Sequence, residues 1–522
     1  MNAVALVDCN NFYVSCERAF DPKLRKRPVA VLSNNDGCVV ARSEEVKAMG
    51  VRMGEPLFKV RRLLEASDAA IFSSNYELYA DMSWRVMQTL EGFSRAVEIY
   101  SLDEAFLDLS SLSVRDLAGV CADARADVLK FTGIPVSVGV APTKTLAKLA
   151  SDRAKREPGG VVNLVGSTDL DALLEATPVR DVWGVGRKTE YKLGTYGITN
   201  ARQLRDADPR WARKVLTVVG ARIVEELRGH SCQRIELCPP ARKAMCCSRT
   251  FGRKITELGE LKESVGFFAT RAAERMRRHK LTAKGVTVFI ETNRFNETEA
   301  QYSNSATARL ASYTGATHEL LRVALRCCEE IYREGYGYYK AGVLLAPLAP
   351  VTPATARMFD AEEHDKARRV MRAVDAINDR WGQDAVRFAV SGYDREWEPV
   401  CEKRSPRFTT RWDELVIARC GEAMTTRKEK KADVELTQEA ILAGYKKLFS
   451  GGKGVRRFSH SGLRYVKLSG DAVLVEQNPQ KGSEWARLAR AGHRVAWAMR
   501  EGEYLARVVD GEVEMLGGRG AE

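Results

Sequence analysis

Asp8, Asp103 and Glu104 are the acidic residues of this chain best placed to do chemistry. Asp8 ends the apolar run Ala3–Val7, which reads as a buried strand. Asp103 and Glu104 lie between two further runs, Val97–Ser101 and Ala105–Leu109, which read as a hairpin. Transfer of a nucleotide builds charge on a phosphate while a hydroxyl attacks. Two divalent ions side by side stabilise the attacking and leaving oxygens together. Magnesium prefers oxygen ligands and keeps some of its waters, so such a site wants carboxylates at the ends of neighbouring strands, open to substrate. Consecutive residues on a regular strand point to opposite faces. Asp103 and Glu104 therefore serve one site only if the chain turns or bends there, and on spacing alone solvated turn acids are the more common reading for all three.

The elements around these acids mix strands with helices. Pro28–Leu32 and Cys38–Ala41 flank Asn34-Asn35-Asp36-Gly37, a strong hairpin signal. Pro135–Val140 is a further strand, and Thr143–Lys155 follows as a helix with Leu146, Leu149 and Ala150 at helical spacing. This order predicts an α+β sheet domain without a regular βαβ repeat. Thr177–Gly229 is mostly helical and holds the turn Gly184-Val185-Gly186. Residues 245–345 form a second α/β unit, with strands at Gly285–Glu291 and Ala341–Leu345 and helices at Leu261–Arg278 and His318–Tyr332. Pro347, Pro350 and Pro353 mark a linker before a helix at about 361–380 and a polar stretch to Arg419. Thr425–Lys431 is a charge run of hinge type. Strand-like pieces at Leu463–Leu468, Ala472–Glu476, Arg494–Met499 and Tyr504–Val509 predict a small β-rich appendage.

A chain of 522 residues is too long for one compact core. Lys and Arg number 82 against 69 Asp and Glu, a formal charge of +13, which favours an anionic partner: nucleic acid or small anionic substrates. The 12 cysteines are scattered and form no CxxC pair, which argues against a zinc site. The start MNAVALVDCNN lacks the pattern of a signal peptide, and no apolar run approaches the length of a membrane span. A reducing cytoplasm and free thiols are the expectation.

The motifs together resemble the Y-family DNA polymerases, the translesion enzymes. Asp8-Cys9-Asn10-Asn11-Phe12-Tyr13-Val14-Ser15-Cys16-Glu17 is similar to their first motif, Ser101-Leu102-Asp103-Glu104-Ala105 to their second, and Gly139 to Lys148, continuing through Ala154-Lys155, to their third. Val31 to Val39 and Ser405-Pro406-Arg407-Phe408-Thr409-Thr410-Arg411-Trp412 resemble the UmuC group. The likeness spans about residues 1–420.

The resemblance implies a right-hand polymerase. Residues 1–170 would be palm and fingers, 171–235 a helical thumb with a helix–hairpin–helix, 240–346 the little finger, 347–422 the UmuC-type C-terminal region and 423–522 an extra appendage. It implies error-prone, template-directed synthesis past damaged bases in the SOS response. Asp8 and Asp103 would bridge two Mg²⁺ ions, Glu104 would complete the site, and the backbone carbonyl of Cys9 would be a further ligand. Phe12 would belong to the nucleotide pocket, and Tyr13 matches the steric gate, a ring under the sugar that excludes a 2′-hydroxyl. Lys155 and Lys47 match basic residues on the triphosphate. Glu44 stands where many members carry a tyrosine on the triphosphate; a carboxylate cannot favour that anion, so Arg42 or Lys47 is expected to take the contact. Cys38 and Val40 would form a low roof over the new base pair.

Gly184, Gly186 and Lys188 would hold a DNA phosphate through exposed N–H groups and charge. Arg249, Arg253, Lys254, Arg271, Arg275, Arg277, Arg278 and Lys280 make the little-finger region basic and predict salt-dependent binding. The implied partners are primer-template DNA, deoxynucleoside triphosphates, a UmuD-type dimer and the RecA filament. Thr355-Ala356-Arg357-Met358-Phe359 keeps only the hydrophobic pair of a sliding-clamp peptide. A nucleotidyl cyclase or other palm-like transferase, and a DNA-binding accessory subunit with weak or no activity, are the competing readings.

Overall fold

The computed structural model describes residues 2–351, 361–415 and 438–450, followed by the short C-terminal strands given below. It divides into two units, Met1–Leu415 and Val416–Glu522.

The first unit is built on β1 (Val4–Cys9), whose run of apolar residues is buried on both faces. Ala3, Ala5 and Val7 join one core, with residues of helices α1 (Phe12–Phe20), α4 (Tyr76–Leu90) and α5 (Val114–Thr132). Val4 and Leu6 join another, with helix α6 (Lys144–Ala154). A strand covered on both sides has no reason to alternate in polarity, which is why it reads as continuous. Around it run β5 (Val97–Ile99), β6 (Glu104–Asp108), β7 (Val136–Ala141) and β8 (Val161–Asn163), in the order β5-β6-β1-β7-β8. Gly139 of β7 lies against α6 so closely that a Cβ there would overlap the backbone of Ser151 and Ala147. Gly139→Ala is expected to push α6 away from the sheet at a cost of about 1–3 kcal/mol. Denaturant unfolding of the variant checks this; wild-type stability would refute it.

A smaller sheet, order β3-β2-β4, holds β2 (Val29–Leu32), β3 (Val39–Arg42) and β4 (Ala70–Ser73), with α2 (Glu44–Ala48) and α3 (Leu57–Ala66) against it. The hairpin expected around Asn34–Gly37 is present, with Asn35 and Asp36 at φ 66 and 46, a region Asn and Asp tolerate. Helices α7 (Leu170–Ala176), α8 (Arg187–Gly194), α9 (Ala201–Asp206) and α10 (Pro209–Leu227) share the α6 core through Leu174, Leu193, Leu204 and Ile223.

The second sheet, order β11-β10-β12-β9, comprises β9 (Met245–Ile255), β10 (Leu281–Thr292), β11 (Ser303–Thr314) and β12 (Tyr338–Leu345). Helices α11 (Leu258–Arg278) and α12 (Thr317–Ile331) share its core. Two strands here, β9 and β11, escaped the sequence reading. The linker assigned to Pro347 and Pro350 is corrected too: Leu348–Pro350 is a short strand, β13, paired with Leu281–Ala283 of β10. Proline is tolerated at such a strand end. Helix α13 (Ala361–Trp381) follows, and the chain then returns to bury Trp397 in the core of the second sheet.

The second unit has helix α14 (Gln438–Ser450) and a six-stranded meander, β14 (Arg456–Arg457), β15 (Arg464–Lys467), β16 (Val473–Glu476), β17 (Val495–Arg500), β18 (Glu503–Val509) and β19 (Glu512–Met515), paired in sequence order. Its core contains Ile441, Tyr445, Leu448, Leu474, Ala496 and Val508. The helix was not foreseen. Pro353, the 355–359 peptide and the 425–431 charge run lie outside the described residues. Among the described residues no helix is long and apolar enough to cross a membrane.

Candidate active site

Asp8 pairs in register with Glu104 of β6 on one side and Ser137 of β7 on the other. Directly opposed residues of an antiparallel pair share a face, so the two carboxylates stand side by side. Asp103 lies one residue before β6 begins, and its carbonyl accepts the Cys9 N–H at 2.8 Å. The turn at Ser101 therefore removes the difficulty of two consecutive strand residues. Ser101 Oγ accepts from the Glu104 N–H at 3.0 Å and donates to Asp103 Oδ1 at 2.5 Å.

Parity places Asp8 on the same face as Val4 and Leu6, which is the α6 side. Two lysines on that helix meet the acids. Lys148 Nζ donates to Glu104 Oε1 at 2.7 Å, and Lys155 Nζ, just past the helix end, to Asp8 Oδ2 at 2.8 Å. Buried Lys144, one turn before Lys148, pairs with the half-buried Glu98 at 2.5 Å. Lys144 and Lys148 carried no role in the sequence reading, although their spacing along α6 with Lys155 puts them on one stripe. Burial pushes the Asp8 carboxyl up to about 6; Lys155 opposes this, and Glu104 and Asp103 add to it. Burial works against the Lys155 ammonium, yet Asp8 and Asp152 more than offset it and hold its pKa above the usual lysine value.

Asp8, Asn11, Glu44, Lys47 and Lys155 line one cleft of ≈ 1230 Å³; Asp103, Glu104, Tyr13 and Arg42 are not on its wall. Glu44 accepts from Lys47 Nζ at 2.7 Å and from Asn11 Nδ2 at 3.0 Å, and these bonds hold its carboxyl below the usual range. The carboxylate at this unusual position thus spends part of its charge on Lys47. Arg42 differs: its Nε and Nη1 are buried without a hydrogen-bond partner, an arrangement proteins seldom leave unused. Phe12 is buried in the core, while the half-buried Tyr13 ring stacks on Tyr79 at 4.3 Å.

Gly184 adopts φ 91, and a Cβ there would press on Ile223 Cδ1. Gly186 caps the N-terminus of α8, and Lys188 is exposed in its first turn. Next to this turn, Trp183 donates from Nε1 to the Tyr100 hydroxyl at 3.2 Å and meets its ring edge-on, which ties the hairpin to the turn bearing Asp103. The basic run in the second sheet domain is largely paired. Arg253 is held by Glu260 and Glu396, Lys254 by Glu299, Arg271 by Glu274 and Asp384, Arg277 by Asp375 and Arg278 by Glu274 and Asp379. Arg249 falls in the same alternation as buried Cys247 and Phe251 and donates to the carbonyl of Ser248. Counting basic residues in the sequence therefore overstates the free charge here, because their acidic partners come from α11 itself and from α13 and loops farther along the chain.

No group of three or more His, Cys, Asp or Glu side chains converges on a metal position among the described residues. Each acid instead faces a protein partner: Lys155, Ser101 or Lys148. The donor set itself suits a hard divalent cation, being all carboxylate oxygen, and like charges set opposite one another call for a positive charge between them. The buried Cys9 thiol is pushed well up by burial and then by Asp8, so only its backbone carbonyl is a fitting donor.

The match to known proteins follows the same layout. The impB/mucB/samB family matches residues 7–152, the IMS family HHH motif 167–198, the impB/mucB/samB C-terminal domain 242–358, and a domain of unknown function 368–418. Protein UmuC of Salmonella typhimurium is 42% identical over 417 residues, covering 79% of this chain and 99% of that one. Protein ImpB of Salmonella typhimurium is 42% identical over 425 residues, 80% of this chain and all (100%) of the relative. DNA polymerase IV of Caulobacter vibrioides is 28% identical over 387 residues, 74% of this chain and 93% of that one. A solved Y-family DNA polymerase chimera has the same fold, with a TM-score of 0.56 at 20% identity over 67% of this chain and 100% of its own. Fold and relatives define the class as Y-family DNA polymerase, a DNA-directed DNA polymerase. Within it, the chain belongs to the impB/mucB/samB family.

Proposed function

We propose that this polymerase copies damaged templates by a two-magnesium mechanism, in SOS-type repair and mutagenesis. The observation that carries the reading is the pairing of Asp8 with Glu104 across β1 and β6, with Asp103 bound through its carbonyl to Cys9. Asp8, Asp103, Glu104 and the Cys9 carbonyl would hold the ions. When bound, magnesium supplies positive charge to the attacking hydroxyl and the leaving phosphate. Lys155 hands its ammonium from Asp8 toward the triphosphate, and Lys148 keeps Glu104 in place. The Tyr13 ring, flat on Tyr79, closes the space under the sugar. Gly184, Gly186 and Lys188 hold the DNA backbone; Arg249 and Arg253 join them only where a phosphate displaces the present partners. Primer-template DNA and deoxynucleotides are the substrates, with a UmuD-type dimer, the RecA filament and a sliding clamp as partners in the cytoplasm. The described cysteines are all free, which suits that compartment. Primer extension across an abasic template with Mg²⁺ tests the reading: no bypass product from the wild-type chain, alone or with a UmuD-type dimer and RecA, would refute it.

Arg42 is the better candidate for the triphosphate, because its donors are unclaimed whereas Lys47 is already neutralised by Glu44. Arg42→Ala is expected to weaken nucleotide binding by about tenfold or more, as befits loss of a charged hydrogen bond. Lys47→Ala, a half-exposed pair, should change it by no more than about threefold. Nucleotide titration of the primer-template complex decides; unchanged affinity in both variants would sink the assignment.

A further inference from the structure

A buried polar chain links a distant segment to Tyr13. The Tyr13 ring lies nearly parallel to that of Tyr79 (15°), and the Tyr79 hydroxyl donates to Glu17 Oε1 at 2.7 Å. The same oxygen accepts from Ser405 Oγ at 2.9 Å, across 388 positions of sequence. Asn75 caps α4, the helix that carries Tyr79, by accepting the Leu78 N–H. Its amide in turn donates to the carbonyls of Ser405 and Pro406, at 2.9 and 3.2 Å, and to Ser405 Oγ at 3.0 Å. One step earlier, Ser73 and Lys403 exchange two bonds of 3.0 Å. Phe408 stacks at 4.8 Å on Phe20, the last residue of the helix that begins with Phe12 and Tyr13. Residues 403–408 thus clamp both helices of the tyrosine pair.

Glu17, Asn75 and Ser405 are only 2, 1 and 6% exposed. A buried carboxyl is costly unless hydrogen-bonded, and burial lifts Glu17 to about 7 despite the bonds from Tyr79 and Ser405. An apolar core would serve stability at least as well, so the polar chain points to a positional task. We propose that Ser405, acting through Glu17 and Tyr79, positions the ring of Tyr13 and so sets how strictly the enzyme rejects ribonucleotides. The inference rests on the reading of Tyr13 as the residue that excludes the 2′-hydroxyl. It gives a positioning role to a segment, 368–418, that matches only a domain of unknown function.

The test is single-nucleotide incorporation of matched deoxy- and ribonucleotides by the full chain, read as the ratio of their kcat/KM values. That ratio does not depend on the fraction of folded enzyme. Ser405→Ala and Tyr79→Phe are each expected to raise relative ribonucleotide use by about three- to tenfold, the range for losing one buried hydrogen bond. The double variant should do little more than either single one, because both act on one chain. Ser405→Thr keeps the hydroxyl and should keep the wild-type ratio. Tyr13→Ala should raise ribonucleotide use further than any of these. If Tyr13→Ala does so while Ser405→Ala and Tyr79→Phe match wild type, the positioning role is overturned and the gate stands. If Tyr13→Ala leaves the ratio unchanged, the gate reading falls and the inference with it.

Discussion

Asp103→Ala is expected to cut primer extension by at least about a hundred- to a thousandfold, the loss seen when one group is removed from a charge-stabilising site. Asp103 sits in the turn before β6, so its removal opens no cavity in the core. Its charge helps push the Asp8 carboxyl up, so deleting it relieves strain on the folded state. The variant should therefore melt at or slightly above the wild-type temperature while losing activity. Asp103→Asn sharpens the test: it keeps an oxygen for Ser101 Oγ but not the charge. If the carboxylate is a cation ligand, both variants fail alike. Extension at wild-type rate by either would overturn the metal assignment, and a large fall in melting temperature would show a structural task instead.

The second large effect is on stability. Trp397→Ala should cost about 3–5 kcal/mol, the range for truncating a large buried aromatic. Trp397 is 1% exposed and sits among Phe251, Phe267 and Phe268 at ring separations of 5.8, 5.7 and 5.5 Å. Its Nε1 donates to Glu263 at 3.2 Å, and its carbonyl accepts the Gly252 N–H at 2.9 Å. This one side chain anchors the returning segment to the second sheet. Just beyond it, Asn35 donates to the Phe251 carbonyl at 2.8 Å and accepts the Val400 N–H at 3.0 Å, which joins the small sheet to the same segment. Losing the anchor is expected to lower the melting temperature by about 10 °C or more. A differential scanning measurement showing a shift of only about 2 °C would mean that the cavity closes by repacking.

Much of the architecture was legible because its signals are local. The strand Ala3–Val7, the hairpin around Asn34–Gly37 and the helix after Thr143 are written in apolar runs, turn residues and helical spacing, and each stands close to the expected bounds. β11 was not legible: SNSATARLASYT is polar, and only Ala306 and Thr314 are buried, because its other face has no layer over it. β9 was hidden because its Arg, Lys and Gly residues fall on both parities and break the apolar alternation. Trp397 gave no sign either, since a lone Trp carries no period, and Ser405 stood out only as part of the UmuC-like stretch, with no role attached.

By itself the sequence determined which acids were available and which short elements carry them, since hydrophobic runs and turn chemistry act between near neighbours. Tertiary structure decided the rest. The register of β1 against β6 set Asp8 opposite Glu104, and a glycine at position 139 let α6 come close enough for Lys148 and Lys155 to reach them. It also paired Arg253, Arg271, Arg277 and Arg278 with remote carboxylates, and brought Ser405 to Glu17 across 388 positions. Pairing register, close approach and burial of charge depend on groups far apart in the chain, and only the folded packing brings those groups within a few ångströms of one another.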